Sequence, residues 1–172
     1  DLSASFDQRV ASIKGSVRSA STVLGASGLV DLGQGAFDDL ALDIQLLRPG
    51  IIGSNVSGTN VRGKALLNGA FAAPTVAYSA TATRLAFDRT TFEDVRVTGE
   101  AQGREDRFLI PVNAVARRVT GINQIAGGLR TNVKMNGDIA IANGRLLSDN
   151  MKIRSDRINA TALIVGDIGK GF

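Results

Sequence analysis

Apolar and polar residues alternate with a period of two along most of this chain, the spacing of a strand whose successive side chains face opposite sides. The cleanest run places Leu129, Thr131, Val133, Met135, Gly137, Ile139 and Ile141 on one face. Arg130, Asn132, Lys134, Asn136 and Asp138 fall on the other. One apolar and one wet face is the signature of an antiparallel sheet solvated on one side. Asn143-Gly144 follows as a hairpin turn, since both residue types tolerate positive φ. The return strand carries Leu147, Asp149, Met151 and Ile153 on one face, with Lys152 and Arg154 on the other. Ser155-Asp156 then marks a turn before Ile158, Ala160, Ala162 and Ile164 alternate again. Upstream, the same pattern picks out Leu40, Leu42, Ile44 and Leu46, then Val95 and Val97, then Phe108, Ile110 and Val112.

Two stretches depart from strict alternation. Between Thr75 and Phe87, Val76 and Tyr78 lie on one face but Leu85 and Phe87 on the other. One extra residue near Thr83-Arg84 would swap faces and reconcile them. Residues 1–35 alternate poorly and predict two or three weaker strands, whereas 36–170 read as repeated strand-plus-turn units. Helical spacing is nearly absent; a turn or two between Val119 and Ile125 is the best candidate. About ten to twelve strands at regular turn spacing indicate an all-β fold. Length and composition fit a single segment, 1–172, with no shift that would mark a second domain.

Composition narrows the chemistry. The chain has no Cys and no His, which removes disulfides, thiol catalysis, zinc–thiolate sites and imidazole bases together. Lys and Arg exceed Asp and Glu by 20 − 16 = 4, and the basic residues are scattered. Nucleic-acid binding would favour clustered basic residues interleaved with aromatics, which make up only 5% of the chain. No stretch reaches the roughly 18 apolar residues of a membrane-spanning helix. An export signal or membrane anchor would therefore lie outside this segment.

Each motif that suggests chemistry has a plainer reading. Gly58-Thr-Asn-Val-Arg-Gly63-Lys64 fits a phosphate-binding loop until Ala65 stands where Ser or Thr should hold magnesium. It reads instead as the start of a strand. The acidic pairs Asp38-Asp39, Glu93-Asp94 and Glu105-Asp106 suit turns or strand ends, where neighbouring carboxylates point apart. No metal-ligand spacing appears. Arg117-Arg118 and the set Lys152, Arg154 and Arg157 read as a solvated, edge-protecting surface.

The order of several short segments carries a resemblance. Arg117-Arg118-Val119-Thr120-Gly121 is followed by Gly127-Gly128-Leu129-Arg130-Thr131-Asn132-Val133. Asn143-Gly144-Arg145-Leu146-Leu147-Ser148-Asp149-Asn150 and Arg154-Ser155-Asp156-Arg157-Ile158-Asn159-Ala160 come after it. Together with Leu46-Leu47-Arg48-Pro49-Gly50, this order resembles the C-terminal β-rich region of translocation and assembly module proteins of the TamB type, alphaproteobacterial in character. These belong to the AsmA-like group of bridge-shaped envelope proteins.

The resemblance implies one long sheet, antiparallel or mixed, folded over like a taco with an apolar interior. It implies a non-enzymatic slice of an inner-membrane-anchored protein that crosses the periplasm and carries phospholipid towards the outer membrane, or assists outer-membrane protein assembly. The partners it implies are phospholipid and, through the parent protein, an outer-membrane barrel of the BamA kind; no cofactor or metal is expected. Ten to twelve strands would give roughly 45–55 Å of groove. The expected lining is Leu40, Leu42, Ile44, Leu46, Val95, Val97, Phe108, Ile110, Val112, Val133, Met135, Ile139, Ile141, Met151, Ile153 and Ile158. The competing reading is a closed β-sandwich or solenoid serving structure or adhesion without a ligand. An outer-membrane barrel would need aromatic girdles that a chain without Trp lacks.

Overall fold

The computed structural model describes residues 2–7, 9–104, 106–121 and 130–167. It is all-β: one open sheet of twelve strands in which every pairing is antiparallel. The strands are β1 (Leu2–Asp7), β2 (Val10–Arg18), β3 (Thr22–Asp31), β4 (Ala36–Leu46), β5 (Val56–Thr59) and β6 (Val61–Ala70). They continue as β7 (Thr75–Phe87), β8 (Thr90–Arg104), β9 (Arg107–Thr120), β10 (Arg130–Ala142), β11 (Arg145–Arg154) and β12 (Asn159–Asp167). The order is a meander, β1-β2-β3-β4-β6-β7-β8-β9-β10-β11-β12, with β5 paired to β7 at the end of β6. A single 3-10 turn, Pro49–Ile51, is the one helical element among the described residues. The described residues before 36 form three strands, β1 to β3, where two or three were expected.

Asn143 and Gly144 take φ of 51° and 71°, the left-handed pair that a tight hairpin between β10 and β11 requires. The Ser155 hydroxyl accepts the Arg157 and Ile158 N–H groups at 3.2 and 3.1 Å, closing the turn into β12. Gly58 to Ala65 spans β5 and β6 with no helix after it, as the strand reading expects. Of the helix candidate, Val119 and Thr120 belong to β9, Gly121 follows the strand, and the rest lies outside the described residues.

Partners across each ladder share a face, so the register assigns the inner side. Leu40, Leu42, Ile44 and Leu46 of β4 stand opposite Leu67, Ala65, Gly63 and Val61 of β6. Phe108, Ile110 and Val112 of β9 stand opposite Ile141, Ile139 and Gly137 of β10. The return strand differs from simple alternation. Between Ser148 and Met151, β11 carries one more residue than β10 or β12. This bulge at Asp149-Asn150 keeps Ser148, Met151 and Ile153 inside while turning Leu147, 49% exposed, to the outer face.

A second irregularity runs across the sheet rather than along a strand. Residues 60, 83, 94, 117 and 132 occupy one continuous row. Asn60, Asp94 and Asn132, on every second strand of that row, have φ of 53°, 50° and 51°. Each pairing keeps the same register on both sides of the row, so all five chains shift their pleat together. Thr83 and Arg84 are both exposed, and the inner face resumes at Leu85. The face swap expected at Thr83-Arg84 therefore exists, but as a crease shared by neighbouring strands. Asp and Asn supply it because they tolerate the left-handed conformation better than other non-glycine residues.

These irregularities bear on three expectations. Arg130, placed on the wet face by alternation, is 5% exposed and turned inward. Asp38-Asp39 and Glu93-Asp94, expected in turns or at strand ends, lie inside β4 and β8 a few residues from their starts, where Asp39 (φ 47°) and Asp94 (φ 50°) are themselves the irregular residues. Glu93 and Asp94 do not point apart either. Both reach Arg117, whose Nη2 lies 3.1 Å from Glu93 Oε2 and whose Nε lies 2.6 Å from Asp94 Oδ2. Glu105 lies outside the described residues.

Candidate functional site

A single sheet has two faces, and burying one of them requires the sheet to curl. β7 and β11 are four strands apart, about 19 Å on a flat sheet. Yet Leu85 of β7 and Ile153 of β11 line the same cavity, of about 430 Å³. Its wall is almost wholly apolar: Leu85, Phe87, Phe92, Val95, Val97, Val119, Val133, Met135, Ile153 and Ile158, with polar exceptions at Thr90, Arg130 and Ser155. Phe87 and Phe92 meet edge to face with ring centroids 6.2 Å apart.

Six of the sixteen sequence-predicted groove residues come together here: Val95, Val97, Val133, Met135, Ile153 and Ile158. Leu40, Leu42, Ile44 and Leu46 share the inner face but not this cavity. Leu40 is 8% exposed and Ile44 is 39% exposed, so the inner side of β4 is covered at Leu40 and open at Ile44. Phe108, Ile110, Val112, Ile139 and Ile141 continue the apolar face along β9 and β10 away from the crease. Met151 is fully buried and sits beneath the inner surface instead of lining the cavity.

Alternation missed Phe92, Val119 and Arg130 because each lies beyond the crease, whereas Leu85 was reached through the face swap expected near Thr83-Arg84. The available signal was an Asp or Asn at matching heights just before an inner-face valine, as in Phe92-Glu-Asp-Val95 and Arg130-Thr-Asn-Val133.

The site offers burial and little acid–base chemistry. The described residues contain no cluster of three or more acidic side chains that could hold a metal ion. Arg117 is held above its ordinary pKa by its hydrogen bond to Asp94, then by the charges of Asp94 and Glu93, which outweigh a smaller opposing desolvation. That ion pair is on the exposed outer side. Comparison with protein-family models, with curated proteins and with solved structures finds no match to this chain.

Proposed function

We propose that this chain is a non-enzymatic segment of a periplasm-spanning bridge protein whose curled sheet carries phospholipid acyl chains. The observation that carries the reading is the apolar cavity joining β7 to β11, continuous with an apolar inner face across the sheet. Acyl chains gain about 0.8 kcal/mol for each methylene taken from water, with no directional contact to fix them. A chain so held can slide along the stacked strands. The resemblance to TamB-type proteins points the same way, and on this reading the parent protein would carry an inner-membrane anchor and meet an outer-membrane barrel of the BamA kind.

The test is native mass spectrometry on the segment purified from bacterial envelope. Co-purifying phospholipid, depleted in Val133→Asp and Val95→Asp variants that remain folded, is the expected result. A folded protein free of lipid, with an interior closed to hydrophobic dyes, would instead identify a structural module without ligand.

A further inference from the structure

The outer face carries a row of charge that the scattered sequence conceals. Successive cross-strand partners connect Arg18, Val23, Gln45, Arg62, Thr81, Arg96, Val115, Lys134, Arg154 and Asn159. Five of these ten are cations and none is acidic, although Asp and Glu are nearly as numerous in the chain as Lys and Arg. All five cations are exposed. Lys134 and Arg154 stand directly opposite each other, an arrangement that costs stability by like-charge repulsion. From Arg18 to Arg154 the cations of the row span eight strand spacings, roughly 38 Å.

The crease runs beside this row. Between Arg62 and Arg96 it opens an outer cleft of about 470 Å³, whose wall includes Asn60, Thr81, Thr83 and Asp94. Asp94 is the one carboxylate there, and it is already engaged by Arg117. On the other side of the row lie Ser79, Thr98, Asn113 and Asn136, mutual neighbours across four strands that offer hydrogen-bonding side chains.

We propose that this outer trench docks an extended acidic polypeptide segment. Single-file cations match one chain of negative charge, whereas a bilayer surface calls for positive charge spread in two dimensions. Neither flanking row contains an aromatic side chain on which bases could stack, which disfavours single-stranded nucleic acid. The flanking hydroxyl and amide groups can serve a peptide backbone and its carboxylates. The proposal does not depend on the lipid reading, because it uses the opposite face of the sheet.

The test is fluorescence anisotropy with a labelled oligoglutamate of about twelve residues, which spans the row when extended. Binding at low ionic strength that weakens with salt is expected. An Arg62→Gln/Arg96→Gln/Lys134→Gln variant should bind about tenfold more weakly, the sum expected of three exposed ion pairs. Lys14→Gln/Arg107→Gln/Arg145→Gln, with the same net charge but off the row, should bind within about twofold of the parent. Equal loss in both triple variants, no binding at low salt, or tighter binding to oligothymidylate or to anionic phosphatidylglycerol vesicles would each overturn the proposal.

Discussion

Asn150 of β11 and Asp138 of β10 hold each other by two hydrogen bonds where the ladder between their strands breaks. Asn150 Oδ1 accepts the Asp138 backbone N–H at 2.8 Å, and its Nδ2 donates to Asp138 Oδ2 at 2.9 Å. Asn68 and Asp39 repeat the arrangement at 2.8 and 3.0 Å, again where β4 and β6 lose register. In both places an irregular strand strands a backbone donor, and a side-chain amide recovers it. Asn150→Ala should therefore cost about 1 kcal/mol in urea denaturation. Asn150→Asp should cost more, because it keeps the shape but removes the donor and sets two carboxylates together. A carboxylate variant as stable as the parent would mean the amide pairing contributes nothing.

Met151 and Val133 were expected to share one role, and their surroundings separate them. Met151 is fully buried beside the β11 bulge, with Gly137 so close that an added Cβ would lie 2.8 Å from the Met151 Cα. Met151→Ala should lose about 2–5 kcal/mol, and a charge there should prevent folding altogether. Val133 lines the cavity at intermediate exposure, so Val133→Asp should fold with a smaller loss. Thermal melts of the two charged variants check this directly. Equal melting temperatures would place both residues in one environment.

The contrast shows where the sequence was readable. Period two identified the all-β class, the Asn143-Gly144 hairpin and the inner positions of β4, β9 and β10, because a half-buried strand imposes that pattern on every residue. It misassigned Leu147, Asp149 and Arg130, each of which belongs to an irregularity or lies on the far side of one from the residues that set the pattern. One inserted residue or one left-handed residue inverts all later positions of a strand. Such a break leaves only a single Asp or Asn in the sequence, and those residues also decorate ordinary wet faces. The folded-over sheet was expected from the resemblance and not from alternation, which carries no sign of which strands the curl brings together, since Leu85 and Ile153 are 68 positions apart by their numbers, 153 − 85.

Tyr78 ties β7 to β9 across the strand between them. Its hydroxyl donates to the Pro111 carbonyl at 2.7 Å, passing over Gly99 of the intervening strand β8. A Cβ on Gly99 would strike the Pro111 carbonyl and come within 2.7 Å of Tyr78 Cζ, so only glycine leaves the path open. Tyr78→Phe should cost about 1 kcal/mol, and Gly99→Ala more. Burial raises the Tyr78 pKa above its ordinary 10.0. The folded state therefore holds this proton more tightly than the unfolded state does. Its contribution is complete below pH 10.0 and is lost as pH rises through the folded value. Because Tyr78 is the only Tyr, tyrosinate absorbance follows it alone. An ordinary titration, or alkaline stability unchanged by Tyr78→Phe, would contradict this.

The crease makes the sharpest demand on residue type. Asn132 holds φ 51° within β10, between Thr131 and Val133, and the cavity depends on the pleat shift it permits. Glycine adopts that conformation freely, so Asn132→Gly should change stability by less than about 0.5 kcal/mol. A β-branched residue is the worst choice there, and Asn132→Val should cost about 1–2 kcal/mol. The loss has a structural consequence beyond stability. If β10 relaxes to regular alternation at residue 132, Arg130 and Val119 leave the inner face, and the cavity loses the end built from Val119, Leu85 and Phe92. Hydrophobic-dye binding should therefore fall in Asn132→Val but not in Asn132→Gly, with both compared at the same folded fraction. A valine variant that matches the parent in both measurements would show that the left-handed residue is not what sets the faces of this sheet.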